Sequence, residues 1–192
     1  NRGNIFSVNV MDKKNIRYTV LGVAHDIAIA GLVVVVILGI LYSYSGVWPP
    51  LVVIESRSMC HSEDSQLGII DAGDLVIVKE ISSPADITTY VTGRTTGYES
   101  YGSYGDVIVY KKYGSDRETP VIHRAVVWLE YNGYGYDVPA LNLKNVTSSF
   151  TLYDYGPKHI QAVPINVHYI LERFQQKSKQ PHDGFITMGD NN

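Results

Sequence analysis

The longest hydrophobic pattern in the chain comes early. From Ile27 to Ile54 no side chain ionises apart from tyrosine, and "IAIAGLVVVVILGILYSY" is apolar through its first two thirds. The pattern is that of a membrane span. A helix from about Ala24 to Tyr44 or Ser45, rising roughly 1.5 Å per residue, covers the ~30 Å hydrocarbon layer. Gly46, Pro49 and Pro50 terminate it, and Tyr42, Tyr44 and Trp48 put amphipathic rings where the lipid–water boundary favours them. A cleaved signal peptide has a shorter apolar region and a small-x-small site; this run is longer and ends in Trp-Pro-Pro.

Beyond the span the pattern changes to short runs of β-branched residues between Gly, Pro and Asp breakers. "LVVIES", "GDLVIVKEI", "GDVIVYKKY", "TPVIHRAVVWLEY" and "HYILERF" each read as a strand, and the Gly73-Asp74 and Gly105-Asp106 pairs read as turns feeding strands. The expected fold class is mainly β, a curled sheet behind one N-terminal transmembrane helix. Residues 1–22 are expected to form a tail, 23–45 the span and 46–192 the β-rich domain. Tyr90–Gly105 and Tyr131–His159 are rich in Gly, Tyr, Ser and Thr and show little periodicity, which predicts insertions at about 90–105 and 131–182.

Charge orients the span. Lys13, Lys14 and Arg17 precede it, and the residues beyond carry no positive charge until Arg57, so the N-terminus is expected in the cytoplasm and the domain outside it. His25 and Asp26 fall at the cytoplasmic edge, where they reach interfacial water. The localisation expected is a single-pass protein of the cell membrane. A net charge of −3 and the lack of any basic block exclude a nucleic-acid partner on electrostatic grounds. The 15 Tyr and 17 Gly among 192 residues favour short strands and turns over long surface helices. A single cysteine, Cys60, can form no internal disulfide, and the histidines lack metal-ligand spacings, so neither a disulfide staple nor a metal is expected. The chain opens on Asn1 and stops at Asn192 within a polar motif, as a fragment of a longer protein would. Asn145-Val146-Thr147 is a glycosylation sequon that would lie on the outward side.

The candidate chemistry lies in three outward segments. In "SRSM", Ser58 is a hydroxyl that needs a base, an orienting partner and oxyanion donors before it can act as a nucleophile. His123 in "VIHRAV" is a polar residue set in an apolar strand, and Asp190 in "ITMGDNN" follows Gly189 at a turn. Each has a bland alternative: a polar loop, a hydrogen-bonded core histidine, an ordinary turn. Their coexistence on one anchored β-domain favours serine-peptidase roles. Cys60 is the rival nucleophile, with His61 beside it; adjacent strand residues point to opposite faces, which makes His61 a poor base for that thiol.

These segments together resemble a type I signal peptidase. "SRSM" resembles that family's Ser-x-Ser-Met box, "AGDLVIV" and "YGDVIVY" its Gly-Asp strand box, "VIHRAV" its His-Arg box and "TMGDNN" its Gly-Asp-Asn box, in the family's order after an N-terminal anchor. A histidine where bacterial enzymes carry a lysine base makes the resemblance one to the archaeal and endoplasmic-reticulum branch. The resemblance implies Ser58 as nucleophile, His123 as base, Asp190 as an acid that matters to activity and, more weakly, Ser56 as an oxyanion donor. It also implies no cofactor; preprotein signal peptides, the lipid bilayer and the protein-translocation machinery as partners; and removal of signal peptides as function. The sequence departs from the family where Cys60-His61 follow Met59 without the usual proline, in the long segment between His123 and Asp190, and in ending before the family's second aspartate. The alternative is a non-catalytic, membrane-anchored β-domain that binds at the surface.

Overall fold

The computed structural model describes residues 13–111 and 119–191. The expected tail as far as residue 12, the Lys112-Tyr113 end of the third expected strand and Asn192 lie outside them. Two compact units divide the chain, one through Pro50 and one from Leu51 onward.

The first unit is dominated by helix α1, Lys13–Ser45. It starts well before Ala24 because nothing between Lys13 and the apolar run breaks a helix, and Lys, Arg, Leu and Ala favour one. Its segment Arg17–Ser45 is long and apolar enough to cross a membrane. Side chains such as Ile27, Val34 and Ile40 are exposed within the chain, as residues that meet lipid would be. Gly46 closes the last turn by donating its N–H to the Tyr42 carbonyl at 2.9 Å. The Tyr42 and Trp48 rings meet edge to face, 6.4 Å apart.

The second unit has mixed α/β content. Its sheets were expected and its helices were not. The expected strand "HYILERF" is instead the middle of helix α3, Val167–Gln176. Asn166 caps it, its side-chain oxygen accepting from the Tyr169 N–H at 2.9 Å. Val167, Ile170, Leu171 and Phe174 recur at helical spacing, with Val167 buried and the others half-buried, so period 3.6 prevails over β propensity. Helix α2, Tyr90–Thr96, arises inside the first expected insertion, where the Thr89 hydroxyl accepts from the Thr92 N–H.

The strands are β1 (Leu51–Val53), β2 (Leu75–Ile77), β3 (Glu99–Ser100), β4 (Ser103–Tyr104), β5 (Val107–Tyr110), β6 (Val121–Tyr131), β7 (Tyr136–Val138), β8 (Leu143–Val146), β9 (Ser149–Tyr155), β10 (Ile160–Asn166) and β11 (Gly184–Met188). The organising strand is β6. Its start pairs with β5, its middle with β11 and its end with β7, all antiparallel, and β8 extends the sheet beyond β7. At Arg124 both edges are occupied, by Val107 and by Met188. β1 pairs with β2, β3 with β4 and β9 with β10.

The larger core joins β6, β7, β9, β10 and α2 through Val126, Leu129, Tyr136, Leu152, Tyr155, Val163 and Tyr90. Much of the expected second insertion is therefore core. The smaller core, Ile54, Met59 and Ile70, is flanked by Val76, Val107 and Ile122 and lies beneath the serine loop. Tyr155 is 1% exposed, and burial pushes its phenol well above the ordinary value, with the Asp190 carboxylate adding to the effect. Among the described residues its hydroxyl has no hydrogen-bond partner. A buried unsatisfied hydroxyl costs about 1–3 kcal/mol, so Tyr155→Phe is expected to leave stability unchanged or raise it by about 1 kcal/mol, read from urea unfolding midpoints.

Candidate active site

The serine loop begins where β1 ends. Backbone pairing continues one step further, with the Ile54 N–H donating to Asp74 at 2.9 Å and the Gly73 N–H to Ile54 at 2.7 Å. The chain then turns, and the Cys60 N–H reaches the Arg57 carbonyl at 3.2 Å. Met59 and Cys60 point inward, 1% and 3% exposed, so Ser58 is left half-buried at the surface of the smaller core. The apolar Met59 side chain fixes the turn, and the turn presents the serine.

The Ser58 Oγ lies 3.1 Å from the Ser56 Oγ and 3.5 Å from the carbonyl oxygen of Ile122, at the outer limit of hydrogen bonding. Ile122 is the residue before His123 on β6. The candidate nucleophile and the strand bearing the candidate base thus meet although they are far apart in sequence. His123 is half-buried and opposite Ile108 of β5. Side chains alternate along a strand, so His123 leaves one face of β6 while Ile122 and Arg124 leave the other.

Asp190 belongs to the Arg124 side. Arg124 Nε donates to Asp190 Oδ1 at 2.8 Å and Nη2 to Oδ2 at 2.6 Å, with both side chains fully buried. The remaining terminal nitrogen of Arg124 turns its two N–H groups toward the carbonyls of Ser100, Ser103, Tyr104 and Gly105, which share them at 2.7 to 3.3 Å. Asp190 Oδ2 also receives His61 Nε2 at 3.0 Å. The structure therefore brings together Ser56, Ser58 and the strand of His123, and it gives the Asp190 carboxylate to Arg124 and His61.

Sequence reasoning missed both Arg124 and His61. A buried arginine beside His123 in an apolar strand calls for a carboxylate, and that was the available signal. His61 was set aside by an alternation argument that holds for strands, whereas residues 57–60 form a turn. Cys60 is a buried free thiol in the core beneath the turn.

The segment after β11 holds the turn directly. The Asn191 N–H donates to the Ser58 carbonyl at 2.9 Å and its side-chain amide to the Arg57 carbonyl at 3.0 Å. Lys158, from the β9–β10 turn, donates to the Asn191 side-chain oxygen at 2.5 Å. Gly189 has no side chain because there is no room for one: a Cβ would press on the Ser58 carbonyl oxygen and stand 3.0 Å from the Ser58 Cβ. Gly189→Ala is expected to cost about 1–3 kcal/mol of stability by overpacking and to displace the serine, measured as a lower urea midpoint and a changed Ser58 environment by NMR.

Asp71 anchors the other side of the loop. Its carboxylate accepts from the Gln66 N–H at 2.9 Å, and the Asp71 N–H donates to Asp74 at 2.9 Å, which seats Ile70 in the smaller core. The Gln66 bond, then the Ser65 hydroxyl, hold the Asp71 carboxyl below its usual 3.8. A depressed folded-state value stabilises the fold at pH above the unfolded value and ceases to do so as pH falls through the folded one. Unfolding midpoints are therefore expected to drop between about pH 5 and pH 2, and less steeply in Asp71→Asn.

No family model, no curated protein and no solved structure matches this chain.

Proposed function

We propose that the chain is a membrane-anchored serine endopeptidase that removes signal peptides from exported preproteins on the outer side of the membrane. The observation that carries this reading is the approach of the Ser58 Oγ to the Ile122 carbonyl, beside His123, across 64 residues of sequence. A serine on a fixed turn against the strand of a half-buried histidine supports this reading, because acyl transfer needs a hydroxyl and a base brought within reach of each other.

In this reading His123 takes the Ser58 proton as Ser58 Oγ attacks the scissile carbonyl. The Ser56 hydroxyl, 3.1 Å from that oxygen, is placed to donate to the developing oxyanion. The imidazolium then returns its proton to the leaving amine, and an acyl-enzyme on Ser58 remains. Water, giving a proton to His123, attacks the ester; His123 passes that proton to the departing Ser58 Oγ, which frees the serine and releases the acyl group as a carboxylic acid. This chemistry needs no cofactor. Helix α1, with Lys13, Lys14 and Arg17 before its apolar part, is the anchor, and the positive-inside rule puts its N-terminus in the cytoplasm. The signal peptide, itself membrane-inserted, presents its cleavage site to such an enzyme, and the translocation machinery delivers it.

A second reading rests on Asp190. Its carboxylate is held by Arg124 and His61, which favours a stable surface domain that binds without cleaving. Proteoliposomes holding the full chain and a preprotein decide between them. Wild type is expected to release the mature protein, Ser58→Ala and His123→Ala to lose about 10³-fold or more in kcat, and Ser56→Ala about 10²-fold. Cleavage by Ser58→Ala at the wild-type rate would overturn the peptidase reading, and no cleavage by wild type would favour the binding domain.

A further inference from the structure

We propose that His61 is a positioning residue, locking the serine turn onto the buried Arg124–Asp190 pair through a hydrogen bond from its Nε2–H to Asp190. The inference rests on the peptidase reading for its kinetic consequence but not for the contact itself.

The ring is 12% exposed and is confined on two sides. On one, Nε2 lies 3.0 Å from Asp190 Oδ2. On the other, it lies against the turn between β3 and β4: a Cβ built on Gly102 would stand 3.0 Å from the ring Cε1 and 3.3 Å from Nδ1. Gly102 has φ +73, a conformation that glycine adopts without strain, so the turn can lie flat on the imidazole. The same turn is gripped from below by Arg124, which accepts no hydrogen bond and spends its donors on Asp190 and the carbonyls of residues 100–105. One buried guanidinium thus organises both walls of the His61 slot.

The tautomer follows from the partner. A carboxylate that already receives two guanidinium N–H groups can only accept from the ring, so Nε2 carries the proton. The ring is three positions after Ser58, and the Asn191 bonds to Ser58 and Arg57 come from the same Gly189–Asn191 segment. The turn is clasped at residues 57, 58 and 61 by neighbouring residues of one segment. A base cannot abstract the serine proton unless the hydroxyl stays within hydrogen-bond reach of it, and displacements of an ångström cost about 10²-fold. The clasp is what prevents such displacement. In this assignment Asp190 contributes through the serine turn.

The test compares His61→Gln and His61→Leu in the full chain in proteoliposomes. Gln places an amide N–H near the position of Nε2–H; Leu has the bulk without a donor. His61→Leu is expected to lower kcat about 10–10²-fold with KM within about twofold. His61→Gln is expected to stay within about threefold of wild type. A long-range nitrogen–proton NMR spectrum of wild type is expected to show the His61 proton on Nε2 and shielded from exchange. Leu at the wild-type rate, Gln as slow as Leu, or a ring protonated on Nδ1 alone would each overturn the proposal. If wild type cleaves no preprotein the peptidase reading fails, and the NMR spectrum still decides the contact. If His61→Leu does not fold, His61→Gln and the spectrum carry the decision.

Discussion

A guanidinium without water must be fully paired, and in this protein that requirement organises the second unit. Arg124 is entirely buried, and its donors are met by both oxygens of Asp190 and by a ring of carbonyls from the β3–β4 turn. Removing one partner of such a pair costs about 3–5 kcal/mol because the other charge is left buried and unpaired. The strand β6, the segment after β11, the β3–β4 turn and the serine turn therefore cannot move independently.

The smaller core does the complementary work. Ile54, Met59 and Ile70 pull the serine loop inward by apolar burial, and Asp71 and Asp74 tie the following loop by hydrogen bonds to backbone N–H groups. Burial is non-directional, so it sets the depth of the turn. The bonds from Asn191 and His61 are directional and set where along β6 the Ser58 hydroxyl sits. Depth and register are thus specified by different forces, and both converge on one residue.

How much of this could be read from the sequence depends on the length over which each signal acts. The long apolar run specified α1 because every residue repeats the same message, while its start at Lys13 depends on the weaker matter of where no breaker intervenes. The strands β1, β2, β5 and β6 were legible from β-branched runs between turn residues. Helix α3 was not, because seven residues with mixed character fit both periods, and only the Asn166 cap and the buried Val167 decide between them. The Tyr-rich segment lacks periodicity yet supplies Tyr136 and Tyr155 to the core, since aromatic rings bury large areas without an alternating pattern. At the site, Ser56, Ser58, His123 and Asp190 were named from the chain, but the pairing of Asp190 with Arg124 and His61 is a contact between remote segments that no local pattern encodes.

The bond between Arg57 and Asn191 spans 134 residues. During synthesis the ribosome delivers the serine turn well before the segment after β11 that fastens it, so the hydroxyl has no fixed address until that segment follows. A turn fastened this way stays loose while the nascent chain is still threading past neighbouring polypeptides, and it takes its fixed shape only when translation has carried the fastening segment out of the exit tunnel.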